Sequence, residues 1–204
     1  MTQATVSPVN QKIRVWISRG VALACIPFIA FMQSAWSDTL VQPVFEVVGA
    51  LVVVAAVLGR FWSILYIGGR KNNQVVQDGP YSMCRHPLYL STTIGAIGLG
   101  LMLGSFVLAA LLGGVAFVIL SMTAAREETF LRAEFAPAYD LYAQRVPRIW
   151  PKPSMFQTPV EVTFDALVLR RNLADALGFL ALIPLAELME TLRESGVLGS
   201  FILP

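Results

Sequence analysis

Apolar residues come in long blocks along this chain, each broken by a short polar segment, and block length is the first guide to what the blocks form. The run Gly20–Trp36 follows Lys12, Arg14 and Arg19 and carries Pro27 inside it. It is too long for a cleaved leader, lacks a convincing cleavage site and is followed by further apolar blocks, so it reads as a first membrane span. A second span runs from Pro43 to about Ile67, with an apolar centre at Val47–Leu58 between Glu46 and Arg60. At about 1.5 Å rise per residue it crosses a hydrocarbon layer roughly 30 Å thick. The third span, Leu88–Leu103, and the fourth, Phe106–Met122, are separated only by Gly104 and Ser105, which predicts two antiparallel neighbours. A fifth block, Leu167–Leu188, contains Arg170, Arg171, Asp175 and Pro184, and either spans or lies along the interface. Val197–Pro204 is too short to cross. The expected fold is all-α: a polytopic integral membrane protein of four to five transmembrane helices. Residues 1–204 are read as a single membrane domain, with a functional region at 78–151 and a C-terminal helix within 152–204.

Composition agrees with this pattern. Only 14% of residues are charged and 56% are hydrophobic, with mean hydropathy +0.66, whereas a soluble domain carries about 25% charged residues. The net charge of +2 is not gathered into a basic stripe, so no nucleic-acid partner is expected. Two cysteines, Cys25 and Cys84, and one histidine, His86, exclude a disulfide framework and a Cys/His zinc site, so no metal is expected. Charge location is more informative than charge total. Lys and Arg precede span one, lie between spans two and three and follow span four, while the one–two and three–four connections have none. The N-terminus and the long polar connections are therefore expected in the cytosol.

Two of those cytosolic segments carry candidate chemistry. Asp78-Gly79-Pro80-Tyr81 is a turn signal, and Pro87 suits the first position of the third helix with His86 at its cap. Free N–H groups of that turn beside Arg85 are expected to form an anion receptor for a carboxylate or phosphate; alternatively Arg85 meets lipid headgroups and His86 merely caps. The fourth helix meets no breaker until Pro137, so it continues past the membrane. There Glu127, Leu131 and Phe135 share one face, and Glu128 is spaced to pair with Arg132. Tyr139 and Tyr142, followed by Arg145 and Arg148, are suited to closing over a flat ring or gripping a headgroup, and equally to interfacial anchoring.

Gly79-Pro80-Tyr81 with Arg85-His86-Pro87-Leu88-Tyr89, then Glu127-Glu128-Thr129-Phe130-Leu131 with Phe135, Tyr139 and Tyr142, resemble the paired signatures of the isoprenylcysteine carboxyl methyltransferase family, itself similar to the phospholipid N-methyltransferases. The resemblance covers about Asp78–Pro151. It departs from the family pattern at Ser91 and Ala136, where small residues replace glycine. It implies an S-adenosyl-L-methionine cofactor surrounded by Tyr81, Arg85, His86, Pro87, Tyr89, Glu127 and Glu128. It further implies that Arg85, Arg126, Glu127 and Glu128 serve catalysis, and that Tyr139, Tyr142, Arg145 and Arg148 meet the acceptor. No glycine-rich dinucleotide motif opens a βαβ unit, so the cofactor would sit in a helical, cytosol-facing pocket.

The resulting expectation is a methyltransferase of the bacterial inner membrane acting on a lipidic acceptor, with an isoprenylcysteine-like carboxylate as the candidate the resemblance suggests, membrane lipids as its surroundings and no protein partner inferred. Two alternatives stand beside it. One is methylation of a small thiol or a membrane amine, with Ser91, Thr92 and Thr93 placed to meet a headgroup. The other is a non-catalytic scaffold or transporter, resting on the ionisable Glu46 and Arg60 near span two.

Overall fold

The structure is a computed structural model that describes residues 31–34, 39–70, 73–195 and 201–203. Most of the expected first span, Gly20–Trp36, lies outside them. Its described end differs from a continuing helix: Met32–Ser34 form a short strand, β1, which pairs in parallel with Phe201–Leu203, β2, in the register Met32 to Phe201. Every other regular element is helical. α1 covers Val41–Ile67, α2 Pro80–Met83, α3 Pro87–Met102, α4 Phe106–Phe135, α5 Ala138–Arg145, α6 Ala166–Leu180 and α7 Leu182–Glu194, with a 3₁₀ turn at Pro153–Met155.

Helix boundaries follow the local chemistry. α3 begins with Pro87 at its first position, as the sequence predicts, and α4 runs unbroken to Phe135 before Pro137. The tip between α3 and α4 turns at Gly104, whose φ of 69° lies in the left-handed region that glycine adopts without a Cβ penalty. The fifth block is interrupted at Ala181, three residues before Pro184. Proline has no N–H to give to the carbonyl one turn earlier, at Leu180, so α6 ends there.

α1, α4 and the stretch Ala166–Met189 are each long and apolar enough to cross a membrane, and the shorter α3 is also apolar. The exposed side chains carry the same message. Val44, Val47, Val48, Leu51, Val54 and Leu58 run along α1 at helical spacing, all exposed, and Phe106, Val107, Leu111, Val115, Val118 and Met122 do so on α4. Apolar stripes of that length facing outward belong to a protein solvated by lipid. Apart from the short β1–β2 pairing, the chain is a polytopic, helical membrane protein.

The residues group into two compact units that divide α1, α3, α4 and α6 between them. One contains 31–57, 94–116 and 176–203 among the described residues. Leu99, Met102, Leu103, Leu108 and Ala186 form its core, with Ala50, Leu112, Ile183 and Met189 against them. α1 and α3 meet here backbone to backbone: a Cβ added at Gly49 would stand 2.2 Å from the Met102 nitrogen. Only glycine permits that approach.

The other unit contains 58–93, excepting 71–72, and 117–175. Its two clusters are Tyr66, Val76 and Tyr81, and Tyr139, Tyr142 and Val146 with Leu131, Phe135 and Met155. Both expected chemical segments lie in this unit.

Candidate active site

The segment that follows α5 is laced by its backbone to the turn before α3. Pro147 O accepts the Arg85 N–H at 2.9 Å, Arg148 O accepts the His86 N–H at 3.2 Å, and Lys152 donates its N–H to Met83 O at 3.1 Å. This corrects the expected anion receptor. The N–H groups of Arg85 and His86 are spent on carbonyls and are not open to an anion, which leaves the Arg85 side chain as the cationic group at this turn. His86 O accepts from Tyr89 and Leu90 N–H, which makes it the start of the α3 ladder as expected.

With the backbone fixed, the two glutamates of α4 take different directions, because consecutive helix residues are rotated by about 100°. Glu128 turns inward and is buried. Its Oε1 accepts a hydrogen bond from His86 Nε2 at 3.0 Å and forms ion pairs with Arg85 Nη1 and Arg148 Nε, each 3.3 Å away. An ionised carboxylate only accepts, so His86 presents a hydrogen on Nε2. Glu128 does not pair with Arg132, which instead lies 3.7 Å from Asp140 on the exposed side of α5. The buried partners outcompete the local i, i+4 pair because a desolvated charge needs them more. Glu127 turns into a cleft, where its Oε2 accepts the Tyr89 hydroxyl at 2.7 Å. The Tyr89 ring in turn stacks on His86, with centroids 5.3 Å apart and planes 8° from parallel.

The cleft is lined by Tyr81, Arg85, His86, Tyr89, Glu127, Tyr139 and Tyr142, with an apolar side made by Ile67, Val75, Val76, Leu88 and Leu131, and by Gln74. It encloses about 60 Å³, room for a few waters, so a larger ligand must also fill its open mouth. The Tyr81 hydroxyl is buried in it without a hydrogen-bond partner. Burial, reinforced by the Glu127 charge, pushes the Tyr81 phenol well above its ordinary range. Burial likewise raises Tyr139 to about 12 and Tyr142 further. All three keep their hydroxyl protons near neutrality, which suits them to donate hydrogen bonds and not to act as bases. Tyr142 already donates, to Tyr81 O at 2.8 Å.

Seven of the singled-out residues therefore share one cleft, and Glu128 stands directly behind it. The others do not line it. Pro87 serves as the first residue of α3, Arg126 is exposed, and Arg145 bonds Gln77 Oε1 at 2.7 Å on the surface. Arg148 belongs to the Glu128 cluster and to Ser121 O, at 3.3 Å, which its Nη2 reaches. The sequence reading missed Val75, Val76, Gln74 and Ile67, which follow no periodic pattern; Leu131 was legible as the residue one turn beyond Glu127.

A second, smaller cavity also reaches the stacked pair. His86 and Tyr89 line it too, with Leu90, Thr93, Phe117, Leu120, Ser121, Ala124 and Ile149. Thr92 and Thr93 return their hydroxyls to Leu88 O and Tyr89 O. Ser91 packs where a Cβ on Gly59 would come within 2.8 Å of its Oγ, and Arg60 reaches Thr92 Oγ1. The polar groups at the start of α3 are thus spent largely on helix contacts. Among the described residues, no group of three His, Cys, Asp or Glu stands together to hold a metal.

A sequence profile described as phospholipid methyltransferase matches residues 44–138, which hold most of α1, all of α3 and α4, the Arg85–Tyr89 motif and Glu127–Phe135, and which end before Tyr139 and Tyr142. The chain belongs to the phospholipid methyltransferase family. A nickel-cobalt-cadmium resistance protein, NccN, of Alcaligenes xylosoxydans xylosoxydans is 37% identical over 93% of this chain and 89% of its own length. The cobalt-zinc-cadmium resistance protein CzcN of Cupriavidus metallidurans is 36% identical over 95% of this chain and 88% of its own. A protein-S-isoprenylcysteine O-methyltransferase of Schizosaccharomyces pombe is 35% identical over 38% of this chain and 33% of its own. No solved structure matches.

Proposed function

We propose that this family member is an S-adenosylmethionine-dependent methyltransferase whose cofactor occupies the Tyr81–Arg85–Glu127 cleft. One observation carries the reading: a cation, a carboxylate and a buried, unpartnered phenol face one space beside an apolar wall. These groups fit a ligand that combines a carboxylate, hydroxyls or an ammonium, and a flat ring. Arg85 would hold the carboxylate, Glu127 the ribose hydroxyls or ammonium, and the Tyr81 hydroxyl would donate to an acceptor atom. Ile67, Val75, Val76 and Leu131 would take the ring. The cofactor, when bound, supplies an electrophilic methyl group on a sulfonium. Alignment and exclusion of water are the tasks left to this chain. The Glu128 cluster performs the first by fixing Arg85 and His86, and the tyrosines perform the second.

The acceptor reading is a lipidic molecule that reaches His86 and Tyr89 from the smaller, mainly apolar cavity. The Lys and Arg distribution supports a cytosol-facing site in the bacterial inner membrane. The metal resistance named for the two bacterial relatives supplies the physiological setting we propose.

Protein reconstituted in lipid should bind radiolabelled S-adenosylmethionine at equilibrium. Transfer to a head-matched acceptor series should fall as the tail shortens, in kcat as well as KM, because tail binding aligns the head. Equal transfer along the series at matched local concentration, with efficient methylation of a tail-less thiol, rejects the lipidic acceptor. Absence of cofactor binding by folded protein rejects the enzyme.

A further inference from the structure

After α5 the chain runs through residues 146–164 with only the 3₁₀ turn at Pro153–Met155. Its polar backbone is tied inward. Beyond the bonds to Met83, Arg85 and His86, Gln157 O accepts the Gly79 N–H at 2.7 Å, and Gln157 N–H reaches Ser82 Oγ at 3.0 Å. Thr158 Oγ1 lies 2.7 Å from the Tyr66 hydroxyl, and Arg70 reaches Thr163 Oγ1 at 2.6 Å. Met155 and Val162 fill the two clusters beneath. Four apolar side chains nevertheless stand outside, among the exposed Lys152, Ser154, Gln157, Thr158, Glu161 and Thr163: Trp150 is 75% exposed, Phe156 44%, Phe164 51% and Val160 fully.

A polar connection in water has no reason to turn its backbone inward and four large apolar side chains outward. We propose that residues 150–164 form an interfacial strap whose side chains Trp150, Phe156, Val160 and Phe164 enter the headgroup–acyl boundary of the bilayer. The occupant is fixed by continuity. Phe156 packs on Trp62 with ring centroids 5.7 Å apart, and Trp62 belongs to α1, a membrane-crossing helix, five residues before its end at Ile67. The strap therefore touches α1 near the end of its apolar length. Trp150 and Phe156 alternate with Pro151, the exposed Lys152 and Pro153, a mixture of aromatic and cationic groups that suits that boundary. The same strap is tied to the turn before α3 through Lys152 N–H on Met83 O and through Gln157, which bonds Gly79 and Ser82, so its seating in lipid steadies that turn. This inference does not rest on methyl transfer.

The test uses the full chain with Trp16, Trp36 and Trp62 each changed to Phe, reconstituted in phosphatidylcholine–phosphatidylglycerol vesicles. Trp150 emission should be blue-shifted from that of N-acetyltryptophanamide in buffer, strongly quenched by lipids brominated near the top of their acyl chains, and shielded from most iodide quenching. Emission at the aqueous wavelength with full iodide quenching overturns the proposal. So does shielding that disappears when protein is diluted into excess lipid, which assigns the surface to a second copy. An independent measurement avoids the tryptophan changes: a nitroxide on Val160→Cys in a Cys25→Ser background. Cys84 is buried, with its thiol pushed up to about 11, and does not compete for label. The nitroxide should be more accessible to oxygen than to a water-soluble nickel chelate; the reverse order overturns the strap.

Discussion

Glu127 and Glu128 are adjacent in sequence and have opposite surroundings, and the function proposed for the cleft depends on that division. Glu128 gathers Arg85, His86 and Arg148 on a single oxygen, which offsets the cost of burying the charges. Glu127 has the Tyr89 hydroxyl and a cleft in front of it. Arginines divide in the same way. Arg85 lines the cleft with its side chain only 12% exposed, whereas Arg126, one residue before the glutamate pair, is exposed and lines neither cavity. Arg85→Ala should therefore weaken S-adenosylmethionine binding by roughly 1.5–3 kcal/mol, the range for a hydrogen bond to a charged group. Arg126→Ala should bind as the wild type does. Titrations on folded, solubilised variants check this pair, and equal losses in both would show that Arg85 acts through net charge alone.

At the scale of elements, close backbone approach decides which helices meet. Gly49 on α1 and Gly98 on α3 face each other: a Cβ at Gly98 would stand 3.0 Å from Gly49 O, and one at Gly49 would meet the Met102 backbone. Backbone cannot yield as a flexible side chain does, so Gly49→Ala should destabilise the folded protein by roughly 1–3 kcal/mol, the usual cost of overpacking. Gly114→Ala, where nothing stands within 4 Å, should leave stability near wild type or raise it. Unfolding of both variants in matched detergent gives the comparison. A Gly49→Ala protein as stable as Gly114→Ala would mean that α1 and α3 separate at little cost.

For the whole molecule, the arrangement in the membrane is the expectation with most consequences. The Lys/Arg asymmetry predicts the α3–α4 tip outside and the far end of α4 inside. Ser105 is a poor reporter of that tip, since it is fully buried and its Oγ accepts the Leu108 N–H at 3.1 Å. Phe106, 55% exposed, is the better site, with Glu134 at the other end of α4. The interval is about 40 Å of helix, more than a hydrocarbon core. Phe106→Cys and Glu134→Cys should be labelled by an impermeant thiol reagent from opposite sides of oriented vesicles. Labelling from one side only would remove α4 from the set of crossing helices.

Block length, charge and proline position were enough to read α1, α3 and α4 from the sequence, because each is decided locally: apolar length by the bilayer, the α3 start by Pro87, the α4 end by Pro137. Leu131 was legible for the same reason, one helical turn after Glu127. The fifth block was readable as apolar, but its break at Ala181 required knowing that Pro184 leaves Leu180 O without its helical donor. The site divided along a similar line. Which residue types gather near Arg85 follows from the motifs; which partner each takes does not. Glu128 passes over Arg132, one turn away, for Arg85, His86 and Arg148, and the N–H groups of Arg85 and His86 go to carbonyls more than sixty residues later. Those choices depend on desolvation and on competition among donors brought together from distant segments, and only the tertiary structure sets either.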